Sequence, residues 1–257
     1  MNIIKWLRGE GRLPGFARDL VFVLVVVGTI SIISQLTLGI WTPMVAVESG
    51  SMEPNLKIGD IVLIQGASKK EIITWQEGEE TNYTTFNLPG NVILYRPYGK
   101  EKITLVDQLA HLVLRRPYSS EKATPIIHRA LYMVEEGKPM WEGGPPAPFS
   151  GYITKGDHNT EIDQRAGRIK EVVEDVDLEQ FPTKVIWIGN EMYIHRDTGL
   201  LLIGVGNNTW LVADGISYLT PVREDWVIGV ARLRVPVVGY VRLLPNIIAD
   251  NIKNLLN

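Results

Sequence analysis

Hydrophobic and polar positions are distributed very unevenly along this chain. From Leu20 to Val47 there are 28 consecutive residues without a charge, bounded by Asp19 and Glu48. A helix needs about 20 apolar residues to cross a bilayer, so residues 20–42 predict a transmembrane anchor with Trp41 at the interface. Buried helices of soluble domains seldom run this long. A cleavable signal peptide would carry an apolar core of about 7–15 residues ending in a small-x-small site. This run is longer and ends Val45-Ala46-Val47, so an uncleaved anchor is expected.

Beyond the anchor the pattern shortens to strand length. Met44–Val47, Ile61–Ile64, Val92–Tyr95, Ile126–His128, Leu131–Val134, Tyr152–Thr154 and Trp226–Ala231 are β-prone runs punctuated by Gly, Pro and Asn. They predict a mainly β domain over 43–164 and 224–243. Residues 66–90 are polar and read as a hairpin or loop. Residues 101–118 place Ile103, Val106, Leu109, Ala110 and Val113 at helical spacing, an amphipathic helix stopped before Pro117 that carries His111 as a structural residue. Residues 165–223 open with an acidic patch and continue with strand-like pieces. A structureless loop of that length is uncommon, so an inserted β-rich subdomain is expected, with His195 on a surface strand. Leu244, Ile247, Ile248, Ile252, Leu255 and Leu256 share one side of a short C-terminal amphipathic helix over 244–257, suited to the membrane surface or to packing on the domain.

Charge adds a direction to the anchor. Lys5, Arg8, Arg12 and Arg18 precede it against Glu10 and Asp19, while Glu48 to Asp60 carries one lysine and three acids. By the positive-inside rule residues 1–19 are a cytosolic segment and the rest is extracytoplasmic, giving a single-pass protein of the cell membrane or an endoplasmic-reticulum-type membrane. The overall net charge of −3 gives no sign of a nucleic-acid surface. With no cysteine, disulfides and thiol chemistry are excluded and the redox compartment stays open. His111, His128, His158 and His195 are scattered, without the close helical spacing of a zinc site, so neither a metal nor another cofactor is expected.

Candidate chemistry begins where the anchor ends. Ser51 lies between Gly50 and Met52 in a turn braced by Pro54, where another backbone can approach closely. The same Ser-Gly-Ser is also ordinary loop chemistry. A serine nucleophile needs a base within hydrogen-bond reach, best oriented by a third group. His128, ending the run Pro125-Ile126-Ile127, is a candidate base; Asp157 and Asp163, in the turn-like stretch after Tyr152–Thr154, are candidate orienting groups. Spacing alone does not bring them together.

Four segments carry a resemblance. SGSMEPNLKIGD (49–60), PIIHRAL (125–131), YITKGDHNTEID (152–163) and DWVIGVARLRVPVVGYVRL (225–243) resemble, in order, the boxes of type I signal peptidases of the archaeal and endoplasmic-reticulum branch, whose base is a histidine rather than a lysine. The resemblance implies a signal-peptidase-like β fold and a membrane-anchored serine endopeptidase that removes signal peptides from secreted and membrane preproteins. Ser51 would be the nucleophile and His128 the base. Asp163 would orient the histidine, with Asp157 supporting the loop or sharing that role. Ser49 and Met52 flank the nucleophile as oxyanion- or substrate-binding residues, Ser49 through its hydroxyl. Shallow pockets for small side chains would draw their walls from Val45–Val47 and Leu131–Val134. Preproteins and membrane lipid are the implied partners, with translocation machinery or further subunits as prospective ones. His158 stands where the family commonly has asparagine, and the 165–223 insert is longer than this branch usually carries. The alternative is a non-catalytic, membrane-tethered binding or assembly protein that keeps the fold. A self-cleaving repressor-type Ser/Lys protease fits neither the anchor nor the absence of a DNA-binding segment.

Overall fold

The computed structural model describes residues 15–69, 71–103, 122–181, 183–195, 201–206 and 208–236. The expected helix over 101–118 with His111, the segment 1–14 and the C-terminal helix over 244–257 fall outside these residues, apart from 101–103.

Helix α1 spans Gly15–Leu38. At about 1.5 Å per residue it is long enough for a hydrocarbon core of about 30 Å. It is the one helix among the described residues with the length and apolarity to cross a membrane. Leu20, Phe22, Leu24, Val25, Val27, Ile30, Ile33 and Leu36 all lie exposed along it. The helix ends earlier than residue 42, because Gly39 turns left-handed at φ +71° and donates its N–H to Gln35 O at 3.1 Å.

Strand β1 (Met44–Ala46) leads to a 3₁₀ turn at Gly50–Met52 and then to β2 (Ile61–Gly66). Helix α2 (Trp75–Thr81) and the short antiparallel hairpin of β3 (Thr84–Thr85) and β4 (Leu88–Pro89) occupy the stretch read as a hairpin or loop. Thr74 caps α2 reciprocally with Glu77: Glu77 N–H donates to the Thr74 hydroxyl at 3.3 Å and Thr74 N–H to Glu77 Oε2 at 2.7 Å. That Thr-x-x-Glu signature, visible in the sequence, marks the helix. β5 (Val92–Tyr95), β6 (Glu101–Lys102), β7 (Lys122–Ala123), β8 (Ile126–Val134) and β9 (Gly151–Lys155) follow. The two runs expected at 126–128 and 131–134 are one strand, β8, with a bulge between Ala130 and Tyr132.

The insert contributes β10 (Gly167–Glu174), β11 (Thr183–Trp187), β12 (Asn190–Ile194), β13 (Leu201–Gly206) and β14 (Thr209–Gly215); β15 (Val227–Val235) closes the described chain. These make two main sheets. One is six-stranded, ordered β1-β2-β15-β5-β8-β9, and the other is five-stranded, ordered β10-β14-β13-β12-β11. All their pairings are antiparallel. The protein is mainly β with an N-terminal apolar helix. The acidic patch straddles the end of β10: Glu171 and Glu174 sit on this edge strand, where charge discourages pairing with other chains, and Asp175, Asp177 and Glu179 follow it.

Val185, Met192, Ile194, Leu201 and Ala213 of the second sheet share a core with Val134, Met140 and Ile153, so the insert packs on the far end of the β8–β9 hairpin. Its return leaves the second sheet after Gly215 and rejoins the first at Val222, which exchanges both backbone hydrogen bonds with Tyr152 at 2.8 Å. A second core of Val47, Met52, Leu56, Val62, Ile64, Val92, Leu94 and Ala231 underlies the Ser51 turn. At the other end of β2, a Cβ on Gly66 would fall 2.7 Å from Gly39 O, so the end of α1 abuts the sheet directly.

Candidate active site

The turn that presents Ser51 is fixed from below and behind. Met52 and Leu56, fully buried, anchor it in the core, and the loop is closed at its base by Val47 N–H to Asp60 O and Gly59 N–H to Val47 O, each 2.9 Å. The Met52 thioether accepts the Asp157 N–H at 3.4 Å. Met52 therefore does not line a substrate surface as expected; its side chain is fully buried in the core beneath the 3₁₀ turn. From behind, His158 N–H donates to Ser51 O at 2.9 Å. The approach is so close that a Cβ on Gly156 would lie 2.5 Å from the same oxygen, which is why glycine stands there. The His158 ring is exposed and makes none of the contacts described here.

Two distant segments converge on the serine loop. His128, on β8, places Nε2 2.9 Å from Ser51 Oγ and Nδ1 2.7 Å from Asp163 Oδ2. A carboxylate only accepts, so Nδ1 carries the proton and Nε2 is left as acceptor for the Ser51 hydroxyl. His128 is 2% exposed and Asp163 0%, so the pair is shielded from competing water. Ser49 Oγ lies 3.3 Å from Ser51 Oγ; with the Ser51 proton committed to His128, Ser49 is the donor. A search against protein-family models and another against curated proteins return no match for this chain.

Asp157 stands apart from this line. It takes Arg129 in a two-point ion pair, Nε to Oδ1 and Nη2 to Oδ2, both 2.8 Å, and accepts Asn55 Nδ2 at 2.9 Å. Its oxygens are thus spent on holding β8 and the Ser51 loop together, and it orients no histidine. The choice between the two aspartates resolves by geometry onto Asp163. Arg129 is itself buried, and the two N–H groups of its Nη1 lie in a ring of carbonyl acceptors from Thr85, Leu88, Pro89 and Gly90 at 3.0–3.3 Å. Sequence reasoning missed Arg129, although a charged residue following a strand histidine in an apolar run is the signal that could have found it.

Asp163 Oδ2 also accepts the Thr154 hydroxyl at 2.7 Å and the Tyr95 hydroxyl at 3.1 Å. Burial first, then the charge of Asp163, holds the Tyr95 phenol well above its ordinary range, so it stays a neutral donor. Neither residue was singled out from the sequence, where each is an unremarked strand position.

Beside Ser51 and His128 runs a cleft of about 580 Å³. Val45 and Ala46, Leu94, Ile126 and Ile127, and Ile228 give it an apolar lining, and it extends to Ile40 and Thr42 at the end of α1. The second wall is Ile126–Ile127 and not Leu131–Val134. β8 passes the Ser51 turn at His128, so residues before it face the cleft while Leu131 and Tyr132 line a separate cavity with Trp75 and Lys155. Among the described residues no group of three or more His, Cys, Asp or Glu side chains is placed to hold a metal ion. The arrangement can deprotonate a serine beside an apolar groove: acyl-transfer chemistry.

Proposed function

We propose that this chain is a membrane-anchored serine endopeptidase of the signal peptidase type, cutting signal peptides from preproteins at the outer face of the membrane. The single observation that carries the reading is the Ser51–His128–Asp163 line, at 2.9 and 2.7 Å, opening onto an apolar cleft.

In this mechanism Ser51 Oγ attacks the scissile carbonyl carbon as its proton passes to His128 Nε2, and Asp163 stabilises the imidazolium. The Ser51 N–H, and the Ser49 hydroxyl once it turns from Ser51 Oγ, would donate to the developing oxyanion, a contribution of about 3 kcal/mol per donor in comparable sites. His128 then returns the proton to the leaving amine, and the C–N bond breaks to give an ester on Ser51. Water attacks that ester with His128 again accepting a proton; the acid leaves and Ser51 is regenerated. Small side chains before the cut would fit between Ala46 and Ile127. A signal peptide held in the bilayer would reach the cleft at its Ile40 end, so α1 supplies proximity as well as location.

The test is cleavage of a preprotein by the full chain in lipid vesicles. Ser51→Ala and His128→Ala should each abolish cleavage, with Lys155→Ala active. Retained cleavage in Ser51→Ala overturns the reading, and an essential lysine with a dispensable His128 would replace it with a Ser/Lys mechanism.

A further inference from the structure

Asp163 is held asymmetrically. Oδ2 takes all three donors, from His128, Tyr95 and Thr154, while Oδ1 is buried with no hydrogen-bond partner among the described residues. Two uncharged hydroxyls thus share the oxygen that His128 uses. Each draws negative charge toward itself, so each weakens the pull of the carboxylate on the imidazolium that forms during the reaction. The three donors come from different strands, Tyr95 at the end of β5, His128 mid-way along β8 and Thr154 on β9, and their meeting depends on the register of the six-stranded sheet.

A second layer comes from the two ends of the insert. Gln164 is fully buried beside Asp163; its Oε1 accepts the Thr154 N–H at 3.1 Å and its Nε2 donates to Thr220 O at 3.3 Å. Leu219 N–H donates to Gln164 O at 2.9 Å, and Tyr218 N–H to Tyr98 OH at 2.8 Å. Segment 216–220, where the insert returns, is thus bonded to the residue next to Asp163; Ser217 and Thr220 are both buried there.

We infer that Tyr95 and Thr154 are positioning residues that act through Asp163 to set the basicity of His128, and that the return of the insert at 216–220 keeps their shell dry. This rests on the proposed proteolytic reading for its kinetic consequence, though not for the coupling itself. The other charged groups around the pair are Glu48 on the cleft rim, the Arg129–Asp157 pair, and Lys155 across the ladder from Arg129. None of them is altered by the variants below.

The experiment is titration of the His128 ring by NMR, in full-length protein carrying ¹³C-labelled histidine in detergent micelles, beside the pH profile of preprotein cleavage. Tyr95→Phe removes one hydroxyl and little else. It should raise the His128 pKa, and with it the acid limb of kcat/KM, by about half to one pH unit, and lower kcat about tenfold. Thr154→Val should act with the same sign, Thr154→Ser should restore the parent titration, and neither hydroxyl deletion should move His128 in an Asp163→Asn background. An unmoved His128 titration in folded Tyr95→Phe and Thr154→Val, or equal shifts with and without the Asp163 charge, overturns the inference. If cleavage survives Ser51→Ala the proteolytic reading fails, and the NMR titration still decides the coupling. Should Tyr95→Phe not fold, the Thr154 pair decides it.

Discussion

Asn55 and Asp157 are 102 residues apart in sequence and joined by a hydrogen bond of 2.9 Å. Through that bond the loop carrying Ser51 is tied to Arg129, the neighbour of His128, so one carboxylate holds Ser51 and His128 in register without touching either. Asp157 and Asp163 are six residues apart and do different work. Asp157 is a brace between elements, and Asp163 is the acceptor for the imidazole.

The two aspartates should therefore fail differently. Asp163→Asn leaves the fold and the melting temperature near those of the parent and lowers kcat by about 10³–10⁴, the cost of a wrong histidine tautomer. Asp157→Asn leaves Arg129 buried and unpaired and should destabilise the protein by roughly 3–5 kcal/mol. Replacing both partners, Arg129→Met with Asp157→Leu, should cost less stability than Asp157→Asn alone. Denaturant midpoints and preprotein cleavage measured on the same samples check this.

Gly156→Ala tests the support behind the nucleophile. Its Cβ would lie 2.5 Å from Ser51 O, and both are backbone-bound, so the turn must shift rather than a side chain. A displacement of about 1 Å at a nucleophile costs about 10² in rate. The expected result is a loss of that order in kcat with little change in KM.

The cleft should read side-chain size. Ala46 is buried on β1 and lines the groove. Ala46→Leu fills space that small substrate residues would occupy, and should lower kcat/KM about 10–200-fold, mainly through KM. A matched series of signal-peptide substrates differing only in the residues before the cut measures it.

Alkaline pH should find a buried phenol. Tyr95 has its folded pKa raised by burial and by Asp163. Its contribution is complete below the unfolded pKa of about 10 and is lost as pH rises toward the folded value, because the unfolded chain releases the proton first. Stability should fall by about 1.4 kcal/mol per pH unit above that point from this residue alone. Tyr132 and Tyr152, raised by partial burial, add to the fall. Urea midpoints across this range should show a shallower decline in Tyr95→Phe.

Much of the architecture could be read along the chain because its causes are local. The uncharged run that begins at Leu20 has no charge to hydrate, so its first part, to Leu38, forms a long apolar helix, and the alternation in Ile61–Ile64 or Tyr152–Thr154 needs one face inside. Ser51 and His128 stood out for the same reason, as chemistry-bearing residues at the ends of patterned runs. The end of α1 at Leu38 rather than 42 depended on one backbone angle at Gly39, and α2 on a capping pair outweighing a polar composition. Nothing local distinguishes Asp157 from Asp163, or marks Tyr95, Thr154 and Arg129, since their partners lie 9 to 102 residues away in sequence. Those contacts exist only once β5, β8 and β9 pair in one register, because shifting a strand by a single residue would turn every side chain to the opposite face. The long apolar helix, the β character and the candidate serine and histidine were determined by the sequence. Which carboxylate meets the imidazole, and what surrounds it, was decided by the tertiary structure.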